Sequence, residues 1–137
     1  MEIFRIAITN IQPSQLFINE DKLKHISEKY NGCFDKIPPI PVVRLGHEII
    51  YTDGHTRAYA AYQAGVDEIS VYWDKDELDW HSYDICVSWC KKEGILTIAD
   101  LHDRIVKPDE YKILWIDRCE KLHQSVGQKE TQICRNF

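Results

Sequence analysis

The feature that most restricts the fold is a polar hexapeptide, Thr52-Asp53-Gly54-His55-Thr56-Arg57, set between two segments of different periodicity. Ahead of it, Glu48-Ile49-Ile50-Tyr51-Thr52 is rich in β-branched and aromatic residues and predicts a strand. Behind it, Ala58, Ala61 and Tyr62 recur at i, i+3 and i+4, one face of a helix, and Gly65 supplies a left-handed stop. The hexapeptide therefore lies at a strand-to-helix junction. There the first amide N–H groups of the helix lack intrahelical acceptors, and the macrodipole adds partial positive charge. Gly54 lets a ligand approach the backbone, and His55, Thr56 and Arg57 bring side-chain donors. Such a convergence of donors holds a phosphate or a carboxylate. The plainer alternative is that Asp53 or Thr56 caps the helix and Arg57 pairs with a surface carboxylate.

A chain of 137 residues is long enough for one domain with a small annex. Its net charge of −5 argues against coating nucleic acid through bulk electrostatics. No apolar run approaches the roughly 20 residues that span a bilayer, and Met1-Glu2-Ile3-Phe4-Arg5 lacks the start of a signal peptide. The expectation is a cytoplasmic protein with no membrane partner. Cys86 and Cys90 lie four apart on a predicted helix and could share a metal, but without a paired knuckle elsewhere a buried apolar stripe is the expected role.

Along the chain, Phe4–Ile8 alternates as a strand and Ile11–Phe17 is an extended connector interrupted by Pro13. Asn19 precedes a helix over Glu20–Tyr30, with acidic residues in its first turn and Asn31-Gly32 at its end. Pro38-Pro39 marks a loop, Ile40–Leu45 a strand, Gly46-His47 a hairpin turn, and Glu68–Trp73 a further strand. Asp74 to Asp79 reads as a solvated acidic turn. After it the pattern is helical only: Trp80–Glu93, a short helix over Ile98–Ile105, and a longer one opened by Pro108. Trp80, Trp89 and Trp115 fall in this part and predict core, with a lid or partner surface as the other reading. The division expected is an α/β unit over 1–76, a helical extension packed on it over 77–126, and a frayed polar tail over 127–137.

This order of elements resembles the ParB/sulfiredoxin superfamily over about Ile8 to Trp73. The residues that carry the resemblance are Ile11-Gln12-Pro13-Ser14-Gln15-Leu16, Lys22-Leu23, and Asp53-Gly54-His55-Thr56-Arg57-Ala58 through Ala61–Gly65. It implies an α+β fold, a small mixed-sheet domain of this kind, here with a C-terminal helical extension. Sulfiredoxins carry a cysteine where His55 stands, so their thiol chemistry cannot run at this loop. The chromosome-partitioning branch binds a nucleoside triphosphate through a Gly-Glu-Arg-Arg loop. This chain keeps Gly54 and Arg57 of that tetrad, has Gln15 at the upstream arginine position, and shows no basic recognition helix. The free serine kinase branch, with Asp-Gly-His-His-Arg, is matched at Asp53, Gly54, His55 and Arg57, with Thr56 in place of the second histidine.

By that resemblance Gly54, His55, Thr56 and Arg57 would hold the phosphates of a nucleotide, with ATP, ADP and CTP not distinguished. Asp53 would sit near the transferred phosphoryl group as a Mg²⁺ ligand or proton acceptor. Asp53, His55 and, from the first helix, Glu20 are the candidate catalytic residues. The expected function is binding of a nucleotide or other phosphorylated small molecule, with phosphotransfer or nucleotide hydrolysis as the reaction. The alternative is a non-catalytic nucleotide- or anion-binding module that signals to a protein partner through the helical extension. DNA binding is the least favoured reading, on charge and on the missing arginines.

Overall fold

A computed structural model describes residues 2–125. The alternating segments form a four-stranded sheet from β1 (Ile3–Ala7), β3 (Ile40–Leu45), β4 (Glu48–Tyr51) and β5 (Glu68–Trp73). Their spatial order is β1-β5-β3-β4, with β5–β3 parallel and the outer pairs antiparallel. The β3–β4 hairpin closes through Gly46 at φ 63°. The fold is thus α+β with a small mixed sheet followed by helices, as expected from the sequence.

Two helices of this half pack against each other. Helix α1 (Glu20–Lys29) starts at Asn19, whose side chain accepts from the Asp21 and Lys22 amides. Helix α2 (His55–Gln63) follows β4 after three residues. The connector Ile11–Leu16 is buried throughout. The Gln12 amide donates to the Ile49 carbonyl and the Tyr51 amide to the Gln12 carbonyl, so the connector pairs with the open edge of β4. An edge strand thereby loses its exposed row of backbone groups.

The C-terminal elements are α3 (Trp80–Lys92), a 3-10 segment Ile98–Asp103, α4 (Pro108–Tyr111), a π-helical turn Lys112–Ile116 and α5 (Asp117–Ser125). Sequence patterning extends the helix after Thr97 to Ile105. The structure ends it at Asp103, and Ile105–Val106 forms strand β6, parallel to the two-residue β2 (Ile18–Asn19). The Ile18 amide donates to the Arg104 carbonyl, a backbone demand across the fold that local periodicity does not register. A single apolar cluster runs from Ile8, Val42 and Ile50 through Tyr83, Cys86 and Cys90 to Ile98, Leu101 and Trp115.

Cys86 and Cys90 are buried free thiols on the apolar stripe, and burial pushes both up from the ordinary thiol range. Trp115 is fully buried, Trp89 packs edge-on against it, and Trp80 stays 47% exposed at the start of α3. The acidic turn is only partly a solvated one. Asp74 accepts from the Thr52 hydroxyl at 2.6 Å, and Asp79 caps α3 through the Ser82 amide. No helix among the described residues is long and apolar enough to cross a membrane. The predicted tail at 127–137 and Val126 lie outside the described residues.

Candidate phosphate site at the start of the second helix

The hexapeptide is held from three sides before any ligand is considered. Thr52 is buried. Its amide donates to the Pro41 carbonyl, and its own carbonyl accepts the Tyr83 hydroxyl of α3 at 3.1 Å. Gly54 is the N-cap of α2, at φ 77° and without a side-chain cap. The helix therefore starts at His55, inside the hexapeptide, and neither Asp53 nor Thr56 caps it. The Asp53 carboxylate instead accepts from the Gly54 amide at 2.7 Å. A Cβ on Gly54 would lie 2.9 Å from Arg57 Nη2 and 3.0 Å from Ile40 Cγ2, so only glycine fits both the dihedral and the space.

That close approach fixes where Arg57 goes. Its guanidinium folds back over Gly54 and donates to the Pro38 carbonyl at 3.4 Å, and it pairs with no carboxylate among the described residues. The surface ion pair allowed by the sequence is not what forms. A half-exposed guanidinium thus keeps several donors beside the first amides of α2, those of His55, Thr56 and Arg57, which helix geometry leaves without intrahelical acceptors.

Lys22 of α1 joins this group. Burial holds its ammonium below the ordinary lysine value, with Asp53 acting to raise it and Arg57 to lower it. Asp53 therefore lies within electrostatic reach of Lys22, and Arg57 does as well. Lys22 belongs to the motif residues, but sequence patterning assigned it no role. Placing it at the loop takes the packing of α1 on α2, which has no local signature.

His55 stands differently from the outward donor that the motif suggests. It is 3% exposed, its ring lies 5.2 Å from that of Tyr51, and its Nε2 accepts from the Ser14 amide at 3.0 Å. An acceptor at Nε2 fixes the neutral tautomer with hydrogen on Nδ1. Burial, with the Lys22 charge second, lowers its pKa to about 3. The imidazole ties the connector to the loop, and a donor role for Nε2 toward phosphate is not available while that bond stands. Thr56 is also buried. Glu20, at the exposed first turn of α1, makes no hydrogen bond or ion pair with the loop among the described residues.

The structure therefore brings Asp53, Gly54, Arg57 and Lys22 together at the α2 N-terminus, turns His55 inward, and leaves Glu20 apart. Among the described residues no group of three or more His, Cys, Asp or Glu is placed to hold a metal ion. Asp53 would hold Mg²⁺ only with oxygens supplied by a bound phosphate and water, the usual arrangement for this cation. Three surface clefts lie elsewhere. One of about 470 Å³ is lined by Glu2 and Tyr72–Asp76, one of about 390 Å³ by Asn10, Arg44, His47 and neighbours, and one of about 110 Å³ by Phe34, Pro38, Ile40 and neighbours. None of these three is lined by the Asp53–Arg57 loop. The smallest shares Pro38 and Ile40 with the surroundings of Arg57.

These elements define an α+β domain with a cationic, glycine-gated helix N-terminus. No family model and no curated protein matches the sequence. Several solved structures are similar to the chain, among them the following two. The first is protein Atu1540 from Agrobacterium tumefaciens, with 17% identity, TM-score 0.47, and 70% of this chain and 50% of that one covered. The second is the C-terminally truncated chromosome-partitioning protein ParB from Caulobacter crescentus, complexed with CTP-gamma-S, with 18% identity, TM-score 0.46, and 94% and 73% covered. The chain spans about half the length of Atu1540. The likeness is one of chain arrangement, and no residue role is carried over from either protein.

Proposed function

We propose that the chain binds a phosphorylated small molecule, in the first place a nucleotide, at the N-terminus of α2. The observation that carries this reading is Arg57. Its guanidinium is folded over Gly54 with unspent donors and no carboxylate partner among the described residues, beside a half-buried Lys22. Two cations held close together, one against a desolvation cost, are both stabilised by an anion that lies between them and the helix amides. Asp53 is the one carboxylate within the hexapeptide. In a phosphotransferase or hydrolase it would share Mg²⁺ with the phosphates or accept a hydroxyl proton.

A second reading, a non-catalytic module that passes ligand occupancy to a partner, is favoured by the bonds that tie the loop and the connector to the C-terminal helices. Tyr83 donates to the Thr52 carbonyl, and Gln15 donates to Tyr111. A protein partner would meet this part at the exposed Ile113 and Leu114.

The test is a calorimetric titration with ATP, ADP and CTP, with and without Mg²⁺, beside turnover on a panel of small hydroxyl acceptors. Wild type should bind at least one nucleotide, and Arg57→Ala should bind it at least tenfold more weakly, as expected for a charge-assisted contact. Asp53→Asn should lose turnover far more than affinity if Asp53 acts on charge that develops in the reaction. Binding with no turnover on any acceptor selects the second reading. Undiminished binding by Arg57→Ala contradicts both.

A further inference from the structure

A buried hydroxyl from the C-terminal helices meets Gln15, whose chain neighbour Ser14 is bonded to His55 of the loop, and leaves its own hydrogen unspent. Tyr111, the last residue of α4, is 3% exposed. Its oxygen accepts from Gln15 Nε2 at 3.0 Å, and the same nitrogen donates to the Phe17 carbonyl at 2.8 Å. Both amide hydrogens of Gln15 are thereby used, so the phenol is the acceptor in this pair and must direct its own hydrogen away from Gln15. No acceptor for that hydrogen is present among the described residues. The buried hydroxyls of Tyr51 and Tyr83 behave otherwise and donate to the Ile8 and Thr52 carbonyls. An unspent buried donor is costly, and such groups call for a specific explanation.

Its surroundings supply one. Burial, and after it the charge of Asp53, hold the Tyr111 phenol well above its ordinary value, so it stays protonated and remains a donor. Asp53 is the neighbour that Tyr111 and Lys22 have in common, and Lys22 also senses Arg57. We propose that Tyr111 is a ligand-contacting residue of the α2 site, its hydroxyl donating to an anionic oxygen of the bound phosphorylated molecule. The C-terminal helices then supply part of the ligand cradle as well as bracing it. This assignment rests on the phosphate site proposed above.

The experiment compares wild type, Tyr111→Phe and Arg57→Ala by calorimetric titration with Mg²⁺–ATP, Mg²⁺–CTP and inorganic tripolyphosphate. Deleting a hydrogen bond to a charged acceptor should weaken the bound probe roughly tenfold or more in Tyr111→Phe. Wild-type affinity in Tyr111→Phe, with loss in Arg57→Ala, overturns the assignment and leaves the phosphate site standing. No binding by wild type, or equal binding by Arg57→Ala, removes the site and the assignment together. Should Tyr111→Phe fail to fold, wild type labelled at tyrosine ¹³Cζ decides. The Tyr111 resonance is expected to move on saturation with the probe, and an unmoved resonance overturns the assignment.

Discussion

Gly54→Ala is the perturbation that tests how tightly loop conformation and ligand binding are linked. The residue sits at φ 77°, in the left-handed region, where an L side chain costs about 1–2 kcal/mol. The new methyl would also meet Arg57 Nη2 at 2.9 Å and Ile40 Cγ2 at 3.0 Å. Arg57 can swing away at little cost in stability, because its end is flexible and half-exposed. Ile40 cannot, because it is fully buried in the sheet. We therefore expect a loss of about 2 kcal/mol, a fall in Tm of roughly 5–10 °C for a chain of this size. Gly46→Ala is the matched control: φ is 63° there, and nothing lies within 4 Å of the added carbon. It bears the dihedral cost alone and displaces nothing near the loop. Thermal melts followed by circular dichroism, with nucleotide titrations of both variants, read the difference. Gly54→Ala should melt lower than Gly46→Ala and lose affinity through the displaced Arg57, while Gly46→Ala keeps wild-type affinity. Equal melting losses with undiminished affinity in Gly54→Ala would refute the coupling of Gly54 to Arg57.

Two further outcomes follow from the buried groups around the loop. His55 titrates at about 3 in the folded chain, against an ordinary 6.5, so the unfolded chain takes up a proton that the folded one refuses between those values. Stability should then decline as pH falls through this window, by up to about 1.4 kcal/mol per unit. His55→Gln, which can still accept from Ser14, should show a shallower decline in urea midpoint between pH 7 and pH 4.5, and identical slopes would contradict the buried neutral imidazole. Tyr83→Phe removes the hydroxyl that donates to the Thr52 carbonyl and should cost about 1 kcal/mol in urea unfolding, the usual net worth of such a bond. A change below about 0.5 kcal/mol would show that the bond does not brace the loop.

The sheet was legible because its signals are local. Ile40–Leu45 and Glu68–Trp73 form strands with the expected bounds, set by alternation and by the glycine and proline around them. Asn19 and Pro108 mark helix starts for the same reason, since capping chemistry needs no distant partner. What was not legible depends on distant contacts. His55 looks like a donor in its motif, and only the amide of Ser14, 41 residues away, turns it into an acceptor facing inward. Gln15 and Tyr111 meet across 96 residues, so their hydrogen bond leaves no trace in either local pattern. Strand β6 is two residues long, too short for any periodicity, and exists because Ile18 needs the Arg104 carbonyl. The π-helical turn at Lys112–Ile116 lies inside what reads as one continuous helix.

The central claim is that an anion seats on the first amides of α2 under Arg57, and amide chemical shifts report on that place directly. Two-dimensional ¹H–¹⁵N spectra would be recorded while the nucleotide bound most tightly in the calorimetric panel is added to saturation. The account predicts that the largest shifts fall on the amides of His55, Thr56, Arg57 and Ala58, with Lys22 moving in step at the same apparent affinity. Shifts concentrated instead around Tyr72–Asp76, where the 470 Å³ cleft lies, with the start of α2 unmoved, would contradict it.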